Sequence, residues 1–192
     1  MSSVFPTDLE KGCVVRFERC LLTIGVALAV ASAAAAQSSD ADSRFVRGFG
    51  PEVQEGFKRV RAATAPFVTL DSAVAAGYVR DVPRCFADDH HGAMGFHHLN
   101  RGYVDARAEV EKPEILLYER HPDGRYVLNG VEYIIPYTRW PRDSVPPTIM
   151  GQTLKQEDQL KLWYLHMWIW NENRAGLFAD WNPSVKCPPA PQ

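Results

Sequence analysis

Long apolar runs are nearly absent from this chain, and cysteine is scarce, with four residues in 192. The one apolar stretch, Leu21 to Ala31, falls short of the roughly 20 residues that a membrane-spanning helix requires. Lys11, Arg16 and Arg19 precede it and Ala34, Ala35 and Ala36 follow it, a small-x-small pattern. Residues 1–36 therefore read as an export signal and not as a retained anchor, with the mature chain periplasmic or secreted. An excess of positive charge is missing too. The formal net charge is -2, and it stays so after the cut, because three basic and three acidic residues leave together. Such a balance argues against binding to a phosphate backbone, which needs a basic face, so no nucleic-acid partner is expected. Several catalytic signatures are also lacking. The chain has no His-Glu-x-x-His, no Cys-x-x-Cys, no EF-hand run, no serine nucleophile elbow and no glycine-rich phosphate loop.

Scarcity of cysteine is itself informative. Cys13 and Cys20 leave with the signal, so Cys85 and Cys187 are the pair that remains. In an oxidising compartment a disulfide between them is the simplest expectation. About 156 residues remain, enough for one domain with a proper core and too few for two. From Gln37 to about Gly50 the composition is largely Ser, Asp, Ala and Gly, which predicts a flexible mature terminus, with the folded domain spanning residues 51–192.

What is present is order of two periodicities. Pro51 suits a first helical turn, and Val53, Phe57 and Val60 recur at helical spacing with Lys58, Arg59 and Arg61 outside. After Pro66 a second helix is expected, with Thr69 or Asp71 as N-cap, Leu70, Ala73, Val74 and Ala76 on the buried side, and Gly77 as its end. Pro83 to Gly92 reads as loop. Ala93 to Leu99 then fits a strand, placing Met94, Phe96 and His98 on one side and Gly95, His97 and Leu99 on the other. Pro113 to Arg120 is a second strand, and His121-Pro122-Asp123-Gly124 is a turn leading into a return strand. Asn129-Gly130 interrupts that return as a hairpin turn or, preferably, as a bulge in one long strand to Pro136. Trp140 to Pro147 is loop, and Leu160 to Trp170 is the clearest strand. Strict alternation there puts Tyr164, His166, Trp168 and Trp170 on one face, with Trp163, Leu165, Met167 and Ile169 on the other. The expected fold class is α+β, with two N-terminal helices packed on an antiparallel sheet of about four strands and one disulfide.

Four segments in this order, Gly92-Ala93-Met94-Gly95-Phe96-His97, Pro113 to Glu119 (PEILLYE), Gly130-Val131-Glu132-Tyr133 and Phe178 to Pro183 (FADWNP), carry a resemblance. Over roughly Gly77 to Cys187 the chain resembles a family of uncharacterised exported bacterial proteins. It departs from that pattern in having His98 where an aromatic residue is expected and Asn173-Arg174 where Asn-Pro is expected. The family has no assigned activity, so the resemblance implies export and a single domain, and no reaction.

Four of the six histidines fall between His90 and His98, and imidazole suits zinc, copper, nickel and iron. The sharpest constellation is His97, Glu132 and His166 converging from three strands as direct ligands to zinc or copper, a two-histidine, one-carboxylate set with an open position. Glu132 lies among Val131, Tyr133, Ile134 and Ile135, and a carboxylate buried in such a run must be paired, metal-bound or raised in pKa. Its alternative is a strand-edge glutamate facing water. A second set, His90, His91, Met94 and His98, would form a more exposed copper or nickel site. A third reading makes the protein a small-molecule-binding module, or a small hydrolase or isomerase. Tyr118, Tyr133, Tyr164, Trp168 and Trp170 would line its aromatic pocket, and Glu132 with a histidine would form the acid-base pair. His121 reads as a surface residue, and Asp180 and Asn182 as parts of a tail clamp.

Overall fold

The computed structural model describes residues 42–80 and 84–189, and the proposed signal at residues 1–36 lies outside them. Residues from Asp42 onward form one compact unit. Among the described residues, no helix is long and apolar enough to cross a membrane.

Helix α1, Pro51–Thr64, starts with proline in its first turn, where the missing N–H costs no hydrogen bond, and carries Arg61 in its last turn. Its apolar stripe of Val53, Phe57 and Val60 is buried, each side chain contributing on the order of 1.5 to 3 kcal/mol. Thr64 closes the helix by donating to the Val60 carbonyl at 2.8 Å, and Pro66 follows in a 3-10 turn, Ala65–Phe67. The second helix, α2, Leu70–Ala75, is only six residues long, and of its expected buried side only Ala73 is buried. The expectation of two helices packed on about four strands is thus corrected. One helix and a short turn of a second accompany a larger sheet.

Eight strands follow: β1 Phe86–Asp88, β2 Gly92–Leu99, β3 Ile115–Arg120, β4 Tyr126–Pro136, β5 Thr148–Ile149, β6 Gln152–Thr153, β7 Lys155–Glu157 and β8 Leu162–Met167. Six of them form an antiparallel sheet in the order β1-β2-β3-β4-β8-β7, and β5 with β6 makes a separate two-stranded ribbon. The two strands beyond the expected four at the sheet edges, β1 and β7, have three residues each and little apolar alternation. Asn129 is the predicted bulge: Leu117 pairs with Gly130 and Tyr118 with Leu128, leaving Asn129 as the extra residue of one long β4.

One sheet face, with Leu116, Tyr118, Val131, Tyr133, Ile135, Trp163, Leu165 and Met167, packs against α1 in the main core. Phe45, Val46 and Phe49 join it. Phe45 lies 5.2 Å from Phe57 and Phe49 lies 5.6 Å from Phe178 (centroid distances). The flexible stretch expected to reach Gly50 is therefore corrected from Asp42 on, where Arg61 also holds Asp42 at 2.7 Å. Three apolar side chains within five residues were enough to outweigh the polar composition around them.

The other face forms a smaller cluster of Ala93, Ile115, Leu117, Ile134, Trp168 and Val185. The C-terminal tail covers this face. Trp168 N–H donates to Leu177 O and its indole to Ala179 O, and Asn182 pairs with Ala93 as an isolated bridge. The Cys85–Cys187 disulfide ties the tail to the start of β1 across 102 residues.

Candidate metal centre

Sheet register dictates which side chains meet on the tail-covered face. Glu132 on β4 pairs directly with His166 on β8, so their side chains share a face. His97 on β2 pairs with Leu117 on β3, which pairs with Gly130 on β4. His97 thus reaches Glu132 diagonally across β3. His97 Nε2 lies 3.4 Å from Glu132 Oε2, and His166 Nε2 lies 3.8 Å from Glu132 Oε1. Each residue offers one ligand atom, and the three atoms lie within 4.8 Å of one another. Donors around tetrahedral zinc, with bonds of about 2.0 to 2.1 Å, stand about 3.3 to 3.4 Å apart. The His97–Glu132 separation already matches that spacing, and the wider ones need inward side-chain movement of on the order of 1 Å. This group could hold a metal ion.

Its electrostatics suit ligation. Burial pushes the His97 imidazole down to about 3, and the nearby His166 pushes the same way. His97 is therefore neutral at physiological pH, as a metal ligand must be. Burial raises Glu132, against the opposing pull of His166. Buried polar atoms nearly always find a partner. Here His97 Nδ1 and both ring nitrogens of His166 are buried without a hydrogen bond, although His166 is only 2 % exposed. Phe86 packs on His97 at 4.8 Å and Tyr164 on His166 at 5.5 Å, walling the group with aromatic rings.

Asp180 is a neighbour whose role the sequence does not display. The tail brings its Oδ1 to 3.5 Å from His166 Nδ1 and 2.7 Å from Lys155 Nζ on β7. Burial pushes the Asp180 carboxyl up, but its interactions with His166 and Lys155 outweigh that and hold it down at about 2. No local signal marks Asp180 as a neighbour of His166, because the pairing depends on how the chain returns after β8.

The second metal set is not brought together. His98 points to the main-core face, 5.0 Å from Tyr118 and 6.1 Å from Tyr126. His90 and His91 are exposed in the turn between β1 and β2, where Asp88 Oδ1 accepts both backbone N–H groups and contacts His91 Nδ1 at 2.7 Å. Met94 is half-buried on the strand between them. His121, in the β3–β4 turn, lies 3.9 Å from Glu119.

The aromatic set is divided as well. Tyr118 and Tyr133 are buried in the main core and donate their hydroxyls to Phe67 O and Val110 O. Tyr164 and Trp168 belong to the tail-covered face. Trp170 departs from the expected alternation because β8 ends at Met167. Its ring packs under Arg61 at 4.3 Å and its indole donates to Thr64 Oγ1. These five residues therefore do not line one cleft. A surface hollow of about 270 Å³ lies beside the tail, between Asp88 and Lys186, and includes none of the three converging ligands.

No family model matches the chain, and neither does any curated protein or solved structure.

Proposed function

We propose that this is an exported metal-binding protein whose ion is held by His97, Glu132 and His166. The observation that carries the reading is the convergence of the three donors on one covered face, with both ring nitrogens of His166 buried and unpartnered. A buried polar atom without a partner costs on the order of 1 to 3 kcal/mol, and a metal ion bound at His166 Nε2 would satisfy one of these atoms. The donor set is two imidazoles and a carboxylate, with no sulfur: Cys85 and Cys187 are joined to each other, and Met94 is not part of the group. Such a set suits zinc, or copper in its divalent state, better than cuprous ion. Three protein ligands leave a coordination position open for water or a small ligand. The signal-like segment and the disulfide support an oxidising compartment outside the cytoplasm.

The test is elemental analysis of the chain purified without a histidine tag, with a free-thiol count on the same sample. The expected result is about one equivalent of zinc or copper that is lost in His97→Ala and in His166→Ala. The ion should also raise the melting temperature of the apo protein, as any ligand confined to the folded state must. Absence of bound metal after reconstitution, with both cysteines oxidised, overturns the reading.

A further inference from the structure

His166 faces a carboxylate at each ring nitrogen, an arrangement that three metal ligands alone do not require. Nε2 lies 3.8 Å from Glu132 and Nδ1 lies 3.5 Å from Asp180. Neutral imidazole carries a single N–H, so it donates on one side and presents a lone pair on the other. Which side does which is set by the better fixed acceptor. Asp180 has the stronger hold. Lys155 Nζ grips its Oδ1 at 2.7 Å, and Lys155 is placed by the β7–β8 register, opposite Tyr164. The backbone around Asp180 is anchored on both sides. Ala179 O accepts the Trp168 indole at 2.7 Å, and Asn182 exchanges backbone hydrogen bonds with Ala93. Glu132, by contrast, has two histidines as its charged-group neighbours and no lysine or arginine within ion-pair distance among the described residues.

We propose that Asp180 is the positioning residue of this centre: it accepts the Nδ1 proton of His166 and so turns the Nε2 lone pair toward the ion shared with His97 and Glu132. This inference rests on the metal reading above. The Nδ1–Asp180 pair, at 3.5 Å, closes by about 0.5 Å to reach the 2.7 to 3.2 Å of an N–H···O bond. A carboxylate behind a ligating histidine fixes ring orientation and tautomer and raises ligand basicity, and its loss costs 10- to 100-fold in metal affinity. Lys155 has a part in the same device. By neutralising Asp180 it keeps a full second negative charge from the centre while leaving the carboxylate oxygen as an acceptor.

The experiment compares zinc affinity, by competition with a chromophoric chelator, in the unaltered chain, Asp180→Leu and Asp180→Asn. It is read together with the ring-nitrogen NMR shifts of His166 in the zinc-loaded unaltered chain. Leucine keeps the volume and removes the acceptor, so Asp180→Leu should bind zinc 10- to 100-fold more weakly. Asparagine restores an acceptor oxygen, and Asp180→Asn should recover to within several-fold of the unaltered chain. His166 should show a protonated Nδ1 and a zinc-bound Nε2. This spectrum needs no variant, and it decides the matter if Asp180→Leu fails to fold. Unchanged affinity in Asp180→Leu, equal losses in both variants, or zinc on Nδ1 would each overturn the role of Asp180 and leave the metal centre standing. An unaltered chain that binds no zinc would remove the centre itself.

Discussion

Glu114 precedes β3 and is 1 % exposed, and its carboxylate supports the strand that carries Glu132. The pairing of Ile115 with Glu132, continued by two residues, would bring Pro113 opposite Ile134. Instead of a continued ladder, Ile134 N–H donates to Glu114 Oε2 at 3.0 Å. Burial pushes the Glu114 carboxyl up to about 8, against the pull of the Ile134 N–H, with Asp105 and Glu132 adding to the rise. Between the ordinary value of 4.5 and about 8, the folded chain keeps a proton that the unfolded chain has released. Stability therefore falls as pH rises through that window. A separation of roughly 3.5 units at 1.36 kcal/mol per unit gives a ceiling of about 5 kcal/mol. Glu114→Gln does not titrate, and its amide oxygen still accepts the Ile134 N–H. Urea unfolding of both chains from pH 5 to pH 9 measures the effect as a difference, which cancels the contributions the two share, including that of His97. The two should be nearly equal in stability at pH 5, with the variant more stable by on the order of 3 to 5 kcal/mol at pH 9. Parallel curves across the whole range would refute the assignment of a buried, proton-holding Glu114.

Two further outcomes are expected. Gly95 has a φ of +92°, and a Cβ there would meet Tyr118 O at 2.5 Å; Gly95→Ala should cost on the order of 2 to 4 kcal/mol in urea unfolding, and a cost below about 0.5 kcal/mol would mean that β2 can move freely off β3. The Cys85–Cys187 disulfide closes 102 residues, so the Cys85→Ala, Cys187→Ala double variant should lose on the order of 4 to 5 kcal/mol in the chain-entropy model, and an unchanged urea midpoint would place the tail's hold entirely in its non-covalent contacts.

Much of this site was legible because sheet faces follow from parity. On β2, alternation separates His97 from His98, and on β8 it groups Tyr164 with His166. The direct pairing of Glu132 with His166 then needs only the right register. The disulfide was legible by elimination, since two cysteines remain once the expected signal segment is set aside. Alternation stops informing where a strand stops. Trp170 was placed with His166 as though β8 continued, but the chain leaves the sheet after Met167, and the indole turns back to Thr64. The strands β1, β5, β6 and β7 escaped notice, β1 within the stretch read as loop, because runs of two or three residues are too short to show a period; the β5–β6 turn at Met150-Gly151, where both residues have positive φ, is marked in sequence by its glycine alone. Asp180 and Glu114 were opaque for a common reason. Each acts on a strand distant in sequence through a side chain whose aim is set by irregular backbone.

The bulge at Asn129 connects these two kinds of residue. Without it, β3 and β4 could pair without interruption, since Leu128 would directly precede Gly130 and the Tyr118–Leu128 pair would directly follow the Leu117–Gly130 pair. What the extra residue adds is a carbonyl outside the ladder. Asn129 O accepts the backbone N–H of Trp170 at 2.9 Å and of Asn171 at 3.1 Å, just where the chain leaves β8. Those two hydrogen bonds, worth on the order of 0.5 to 1.5 kcal/mol each, help fix the exit of the chain from the sheet. From that exit the chain runs to Leu177 and Ala179, which bond Trp168, and then to Asp180 beside His166. The irregularity in β4 thus helps set the path of the segment that covers the face holding His97, Glu132 and His166. This is why a regular, bulge-free β4 would preserve the pairing of Glu132 with His166 and still weaken the support behind it.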